Sequence, residues 1–171
     1  MFVWFLLLMS DFQIKHAVEK DVSVILWFIR RLAEYERLSH EAAVTEELLR
    51  ANLFGSRPVA EVLLGYHEDK PVAFAVFFHN FSTFLGKPGM YLEDLFVIPE
   101  MRGKGFGRAL LVHLAKVAHE RKCGRFEWSV LNWNEPAIQF YLNLGAVPMS
   151  DWTMFRVTGE ALEKLAGGNS L

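Results

Sequence analysis

The sequence predicts an α/β fold (α+β in its layering): a mixed, mostly antiparallel sheet with helices on both faces. Three observations carry that expectation. Short β-rich runs come early and lie close together, as antiparallel neighbours do. A strand–loop–helix–strand unit follows between Tyr91 and Leu131, and a helix joining two strands makes them parallel. At 171 residues, 52% of them apolar or aromatic and fifteen of them Phe, the chain has enough material for one sizeable core, which excludes a disordered chain.

The elements follow in order. Phe12 to Ala17 reads as a short first strand, and Asp21 stands where an N-cap begins the next helix. In that helix Val22, Ile25, Ile29, Leu32 and Tyr35 recur at three and four, which makes one buried stripe. Thr45 caps a second helix through Phe54, stopped by Gly55. Val59–Tyr66 and Val72–Phe78 flank His67-Glu68-Asp69-Lys70-Pro71 as a hairpin, and Met90–Ile98 is a third long strand. A helix from about Gly107 to Lys122 carries Leu110, Leu111, Leu114, Val117 and Ala118 on its core face. Arg125–Leu131 then forms a strand parallel to Met90–Ile98. Asn134, Glu135 and Pro136 start a short helix that Gly145 ends, and Trp152–Val157 is expected as a last strand. One domain, residues 9–167, accounts for all of these. Residues 1–8 are an apolar extension without a basic region or cleavage site and too short to span a bilayer, so they read as non-native or disordered, with translation from Met9, or else as an arm on a partner.

Chemistry concentrates between Tyr91 and Ala109. Two carboxylates on a strand, Glu93 and Asp94, lead to Arg102-Gly103-Lys104-Gly105-Phe106-Gly107-Arg108, and a helix begins at once. Glycines at a helix N-terminus bring backbone N–H groups up to an anion, and the helix dipole favours negative charge there. A pyrophosphate suits that loop. The dinucleotide pattern G-x-G-x-x-G fails in both registers, ending on Arg108 or Leu110, and no G-x-x-x-x-G-K-[ST] is present. The pattern that remains is R-x-x-G-x-G.

Other classes lose ground. A net charge of −2 gives no general attraction to nucleic acid, and Arg102, Lys104 and Arg108 suit a few phosphates. One cysteine, Cys123, excludes an intrachain disulfide, fits a reducing cytoplasm and reads as core filler. His16, His40, His67, His79, His113 and His119 show neither i, i+4 pairing nor H-E-x-x-H, so no metal site is expected, and no G-x-S-x-G elbow appears.

The R-x-x-G-x-G loop resembles the acyl-CoA pyrophosphate loop of the GCN5-related N-acetyltransferases. R-L-A-E-Y-E-R-L around Tyr35, G-K-P-G-M-Y-L-E-D-L-F-V around Glu93, and W-N-E-P-A-I-Q-F-Y ending at Tyr141 resemble the diamine and polyamine branch, the spermidine/spermine and thialysine type. The resemblance implies a parallel pair, Tyr91–Val97 and Glu127–Leu131, splayed around acetyl-CoA. It implies pantetheine on the backbone of Leu95, Phe96 and Val97, pyrophosphate on Arg102, Gly103, Lys104, Gly105, Phe106, Gly107 and Arg108, and Asn134, Pro136, Ala137 and Tyr141 along the far side of the cofactor. It makes Tyr141 a general acid toward the sulfur and Glu93 the group that frees the amine. It further implies a small cationic amine substrate, a homodimer, a cytoplasmic location and no membrane or nucleic-acid partner.

An alkyl ammonium has a pKa of about 10.4, so roughly one in a thousand is neutral at pH 7, and freeing the amine costs about 4–5 kcal/mol. A carboxylate eases that step. Glu93 and Asp94 are adjacent on a strand and share a face only if a bulge intervenes. Tyr35, Glu36 and Asp151 are the further candidates for holding the substrate. Ser82 and Phe84 stand where the polyamine enzymes carry an aspartate and a tryptophan, and Asn143 replaces a basic residue, which favours short diamines or lysine-like amines over long polyamines. Acetylation of a peptide N-terminus or an amino acid, and a non-catalytic acyl-CoA-binding module, are the alternatives.

Overall fold

The structure, a computed structural model, describes residues 11–168. The expectation for residues 1–8 falls outside them. The chain divides into two compact units, one ending at Ser129 and the other beginning at Val130.

The first unit holds β1 (Phe12–His16), α1 (Val22–Glu36), α2 (Glu46–Phe54), β2 (Glu61–His67), β3 (Lys70–Ser82), β4 (Lys87–Val97), α3 (Phe106–Glu120) and β5 (Phe126–Trp128). The five strands lie in chain order. The first four are antiparallel, and β5 runs parallel to β4 because α3 carries the chain back across the sheet. The expected strand Arg125–Leu131 is shorter than the sequence suggested. Its pairing covers only Phe126–Trp128, opposite Met90–Leu92.

Strand alternation sorts the core into two layers. Val62, Leu64, Phe74, Val76 and Phe96 face α1 and α2, where they pack with Val22, Ile25, Leu26, Phe28, Leu32 and Leu49. The opposite parity faces α3: Phe12 stacks on Phe106 at 4.2 Å between ring centroids, and Leu110, Leu111 and Leu114 are buried beside them. Ile25 and Phe28 have no exposed surface, and burial of such side chains is worth about 1.5–3 kcal/mol each. The predicted stripes hold, except that Ile29, Tyr35 and Val117 are only partly buried.

Caps show where local chemistry succeeded. Thr45 Oγ1 accepts from Leu48 N–H at 3.3 Å, as its position before α2 predicts. Asp21 precedes α1 but does not cap it. Its carboxylate turns back to accept from Val18 N–H at 2.9 Å, closing a 3₁₀ turn over Glu19–Asp21. The hairpin after β2 tightens to two residues, Glu68 and Asp69, with φ of 50° and 57°. That is a turn with both central residues left-handed, which non-glycine residues enter at a cost of about 1–2 kcal/mol each. Asp69→Gly is therefore expected to raise stability by about 1 kcal/mol, read as a higher midpoint in urea with unchanged slope. A lower midpoint would show that the aspartate side chain stabilises the turn.

The second unit holds α4 (Glu135–Leu142) and α5 (Gly159–Ala166). Gly145, at φ 87°, follows α4 as expected, with Ala146 N–H donating to Tyr141 O at 3.1 Å. The expected strand Trp152–Val157 is absent. An alternating apolar run becomes a strand only when a ladder partner takes its backbone groups, and none among the described residues does so. Trp152 and Phe155 are 73% and 89% exposed. The sequence pattern did not single out α5, although Thr158 at its N-cap and Leu162 and Leu165 three apart are visible signals.

Candidate active site

The site grows out of a fault in the β3–β4 ladder. Phe77 stands opposite Leu92 and Val76 opposite Asp94, so Glu93 has no partner in the ladder and forms a bulge. A bulge adds a residue without advancing the alternation. Asp94 thereby comes opposite Val76 on the face lined by α1, Glu93 leaves the strict alternation, and its charge acts on Asp94. The sequence could state this condition but not decide it. Pairing with β5 also stops at Leu92, next to the bulge. From Asp94 to Val97, β4 keeps its pairing with β3 while its other edge has no strand beside it among the described residues. The backbone of Leu95, Phe96 and Val97 thus lies along an open strand edge.

Next comes the glycine loop. Gly103 and Gly105 have φ of 76° and 87°, the left-handed region where a Cβ is strained. A Cβ on Gly103 would meet no atom within 4 Å, and one on Gly107 would meet only Val97 Cγ2, at 3.7 Å. α3 begins at Phe106 with no side-chain cap, and the first helical bond runs from Ala109 N–H to Gly105 O. The leading N–H groups of a 15-residue helix therefore point into the loop, a ready anion site.

The loop cations take different positions. Arg108 is exposed. Lys104 Nζ lies 3.1 Å from Met101 Sδ. Arg102 turns back: its Nε donates to Val97 O at 3.0 Å, and its guanidinium lies 4.3 Å from the centre of the Tyr35 ring and 5.4 Å from that of Phe96. Arg102 thereby ties the end of β4 to the end of α1, in addition to standing beside the loop. Arg37, at φ 63°, stops α1 with a left-handed turn in which Leu38 N–H donates to Ala33 O. Tyr35 and Glu36 therefore sit in the last turn of α1, beside Phe96.

Three carboxylates meet here. Burial pushes the Asp94 carboxyl up to about 7, and the charges of Glu93 and then Glu36 push in the same direction. Burial also raises Glu36. Near neutral pH Asp94 therefore keeps part of a proton that it would give up in water, and a cationic guest that replaces that proton is favoured.

The remaining candidates lie in the second unit. Asn134, Pro136, Ala137 and Tyr141 stand along α4. Asn134 is buried and its backbone oxygen accepts from Ala137 and Ile138 N–H at 3.0 Å, but its side chain makes no capping bond, contrary to the expectation from N-E-P. Tyr141 is partly buried, with Phe140 5.4 Å away between ring centroids. Asp151 is exposed in a turn.

The chain matches the acetyltransferase (GNAT) family over residues 26–146, a span that takes in the bulge, the glycine loop and α4.

The chain belongs to the GNAT acetyltransferase family.

Its activity class is that of an acyl-CoA-dependent N-acetyltransferase. Thialysine N-epsilon-acetyltransferase of Mus musculus is 38% identical over 170 residues, covering 93% of this chain and 99% of the relative. L-ornithine N5-acetyltransferase of Arabidopsis thaliana is 32% identical over 198 residues, covering 90% of this chain and 87% of the relative. Among solved structures, an integron cassette protein of V. cholerae superposes with a TM-score of 0.78 at 28% identity, covering 91% of this chain and 98% of that one. An aminoglycoside acetyltransferase from a soil metagenome, at 17% identity and a TM-score of 0.76, covers 90% of this chain and 99% of its own and shares the GNAT fold.

The structure also brings forward polar residues to which the sequence patterns gave no role. Tyr91 and Ser129 share a hydrogen bond of 2.7 Å between β4 and the residue that follows β5. Asn80 Nδ2 donates to Glu127 at 3.0 Å, and Arg125 pairs with the same carboxylate. The signal was the alternation Arg125, Glu127, Ser129, which puts three polar side chains on one face of β5 and its flanks.

Proposed function

We propose that this GNAT protein transfers the acetyl group of acetyl-CoA to a primary amine of a small cationic substrate: a diamine, a polyamine or a lysine- or thialysine-like amino acid. The observation that carries this reading is the carboxylate cluster at the bulge, placed where β4 loses its β5 partner and one loop away from an uncapped helix N-terminus. The names of the relatives support the amine class. The test is release of free CoA from acetyl-CoA across a panel of small amines. Turnover confined to peptide N-termini would overturn the amine class, and acetyl-CoA binding without turnover on any acceptor would overturn the enzyme reading.

Acetyl-CoA fits the residues present. The open edge of Leu95–Val97 suits the amide-bearing pantetheine, the N–H groups from Gly103 to Arg108 suit the pyrophosphate, and Asn134, Pro136 and Ala137 are assigned the far side. The co-substrate supplies an acetyl group activated as a thioester. The chain handles the protons. A bound ammonium must lose two to become an amide: one leaves through Glu93 or Asp94 to solvent, and the balance of the second ends on sulfur. The C–N bond forms as the C–S bond breaks, and Tyr141 delivers the proton to sulfur and regains one from solvent. Tyr35, Glu36 and Asp151 are assigned to holding the rest of the substrate. Asp94, raised to about 7, is better matched than an ordinary carboxylate to accept a proton near neutrality.

We further infer that residues 9–167 work as one catalytic domain, since the family match runs across the boundary at Ser129 and Val130. The resemblance supports a cytoplasmic homodimer. A net charge of −2 supports a small-molecule acceptor over nucleic acid, and no described helix is long and apolar enough to cross a membrane.

Gly107→Ala tests the cofactor loop. The protein itself leaves room for the methyl group, with Val97 in ordinary contact, so the fold and thermal midpoint should hold. A ligand seated on the helix N-terminus should meet it. Acetyl-CoA affinity is expected to fall by about tenfold or more, the scale of one charge-assisted hydrogen bond, as read by titration calorimetry. Unchanged affinity would move the pyrophosphate elsewhere.

A further inference from the structure

One face of the sheet carries a second charged group that the reaction chemistry does not use. β3 runs through the bulge without a break of its own, so Phe74, Val76, Phe78 and Asn80 share a face. α1 covers Phe74 and Val76, and Asn80 lies beyond it. Asn80 Nδ2 donates to Glu127 Oε2 at 3.0 Å, and Arg125 Nε lies 2.9 Å from the same oxygen, in ion-pair range but out of line for a hydrogen bond. Arg125 Nη2 reaches Phe81 O at 3.5 Å, a long contact. Both charged side chains remain about one-third exposed, at 37% and 35%. Among the described residues no partner is found for Glu127 Oε1 or Arg125 Nη1.

Gly89 allows this cluster to form. A Cβ there would collide with Asn80 Oδ1 and come within 3.1 Å of the Arg125 side chain. The result is an acid and a base side by side along β5, each with an unused polar edge. Glu127 stands opposite Tyr91 and Arg125 precedes the partner of Met90, so the two lie two and four residues before Glu93. At the rise of a strand those separations are roughly 7 and 13 Å, which a four-methylene stem spans together with the reach of the two long side chains.

We propose that Arg125 and Glu127 together read the α-carboxylate and α-ammonium of an amino-acid substrate whose side-chain amine is acetylated at Glu93 and Asp94. This rests on the N-acetyltransferase reading above and selects among its amines. An α-amino acid carries both charges on one carbon, and the Arg125–Glu127 pair presents their complements side by side. The guanidinium fork matches a carboxylate in geometry as well as charge. A diamine of equal length meets the Glu127 carboxylate but brings a second cation up to Arg125, a repulsion that the amino acid avoids.

The test compares L-lysine with cadaverine, which is lysine without its carboxylate, in steady-state acetylation by the full-length protein. The wild type is expected to favour lysine in kcat/KM. Arg125→Gln should lower the lysine-to-cadaverine ratio of kcat/KM by about 10–100-fold, the scale of a lost charge-assisted hydrogen bond, mainly through KM for lysine. Arg125→Lys, which keeps the charge and loses the fork, should recover part of the ratio. Glu127→Gln leaves the guanidinium in place and should penalise cadaverine at least as much as lysine. If Arg125→Gln moves the ratio by less than about twofold, sparing or impairing both amines alike, Arg125 is a structural residue and the receptor is overturned. Turnover of cadaverine by the wild type without turnover of lysine overturns the receptor and leaves the acetyltransferase reading standing. No CoA release with any amine overturns both.

Discussion

Tyr141→Phe is expected to lower turnover by about 10²–10⁴-fold while acetyl-CoA binds nearly as before, because only the phenolic proton is removed. The residue lies near the end of α4, three positions after Ile138, and is partly buried. A thiol ordinarily has a pKa of about 8.5 and a phenol one of about 10, so full proton transfer from phenol to thiolate is uphill by about 2 kcal/mol. The donor therefore helps most while charge is still building on sulfur. That comparison favours the lower half of the expected range near neutral pH. It also predicts a pH signature: the rate should fall at alkaline pH as the phenol ionises, and the Phe variant should lack that limb. Turnover within threefold of wild type, or an unchanged alkaline limb in the variant, would remove Tyr141 from the role of acid.

Asp94→Asn should separate activity from stability. A carboxyl held at about 7 in the native state, against 3.8 as a free group, binds its proton more tightly when folded than when unfolded. The sign follows directly. Between those two values the native state carries more protons, so stability falls as pH rises and the penalty is complete above about pH 7. The difference of roughly three units sets a ceiling of about 4 kcal/mol, and about half that after solvent screening of a part-exposed group. Asparagine has no charge to penalise. The variant should match the wild type in thermal midpoint near pH 4 and exceed it near pH 8.5. Its activity should move the other way, losing about 10²-fold or more near neutral pH together with the acidic limb of kcat/KM. Glu93→Gln, by comparison, should lower Asp94's pKa by removing a like charge, which shifts that limb to lower pH. An Asp94→Asn midpoint lowered equally at both pH values would mean that the carboxylate is stabilising and that no penalty for its charge exists.

Those two expectations differ in what makes them visible. Tyr141 stands out from a contiguous motif, W-N-E-P-A-I-Q-F-Y, that a single stretch of chain contains whole. Asp94 is only half legible. The sequence displays two adjacent acids on a strand, and strand alternation argues against their sharing a face. The bulge at Glu93 reverses that argument, and a bulge is a property of two strands in register, Phe77 against Leu92 and Val76 against Asp94. No window along β4 alone contains it. The Asn80–Arg125–Glu127 network is hidden for the same reason, since Asn80 and Glu127 are 47 positions apart in the chain.

Helix periodicity holds better than the caps, of which Asp21 and Asn134 make no capping bond. Apolar residues at three and four build α1 and α3, because their burial is set by a period that the chain carries itself. Thr45 caps α2, and Gly145 follows α4, because each needs only a few neighbouring backbone groups. The R-x-x-G-x-G loop takes the expected form, left-handed glycines before a helix with no side-chain cap, a form that suits an anion. Features at the far edge of the ladder hold less well: β5 stops after three residues, and Trp152–Val157 finds no strand to pair with among the described residues. Four of the five helices, the glycine loop before α3 and the reaction class were therefore legible along the chain. Which carboxylates meet and where the sheet opens follow from the packing of distant segments, because ladder register and shared burial arise between segments that do not specify each other locally.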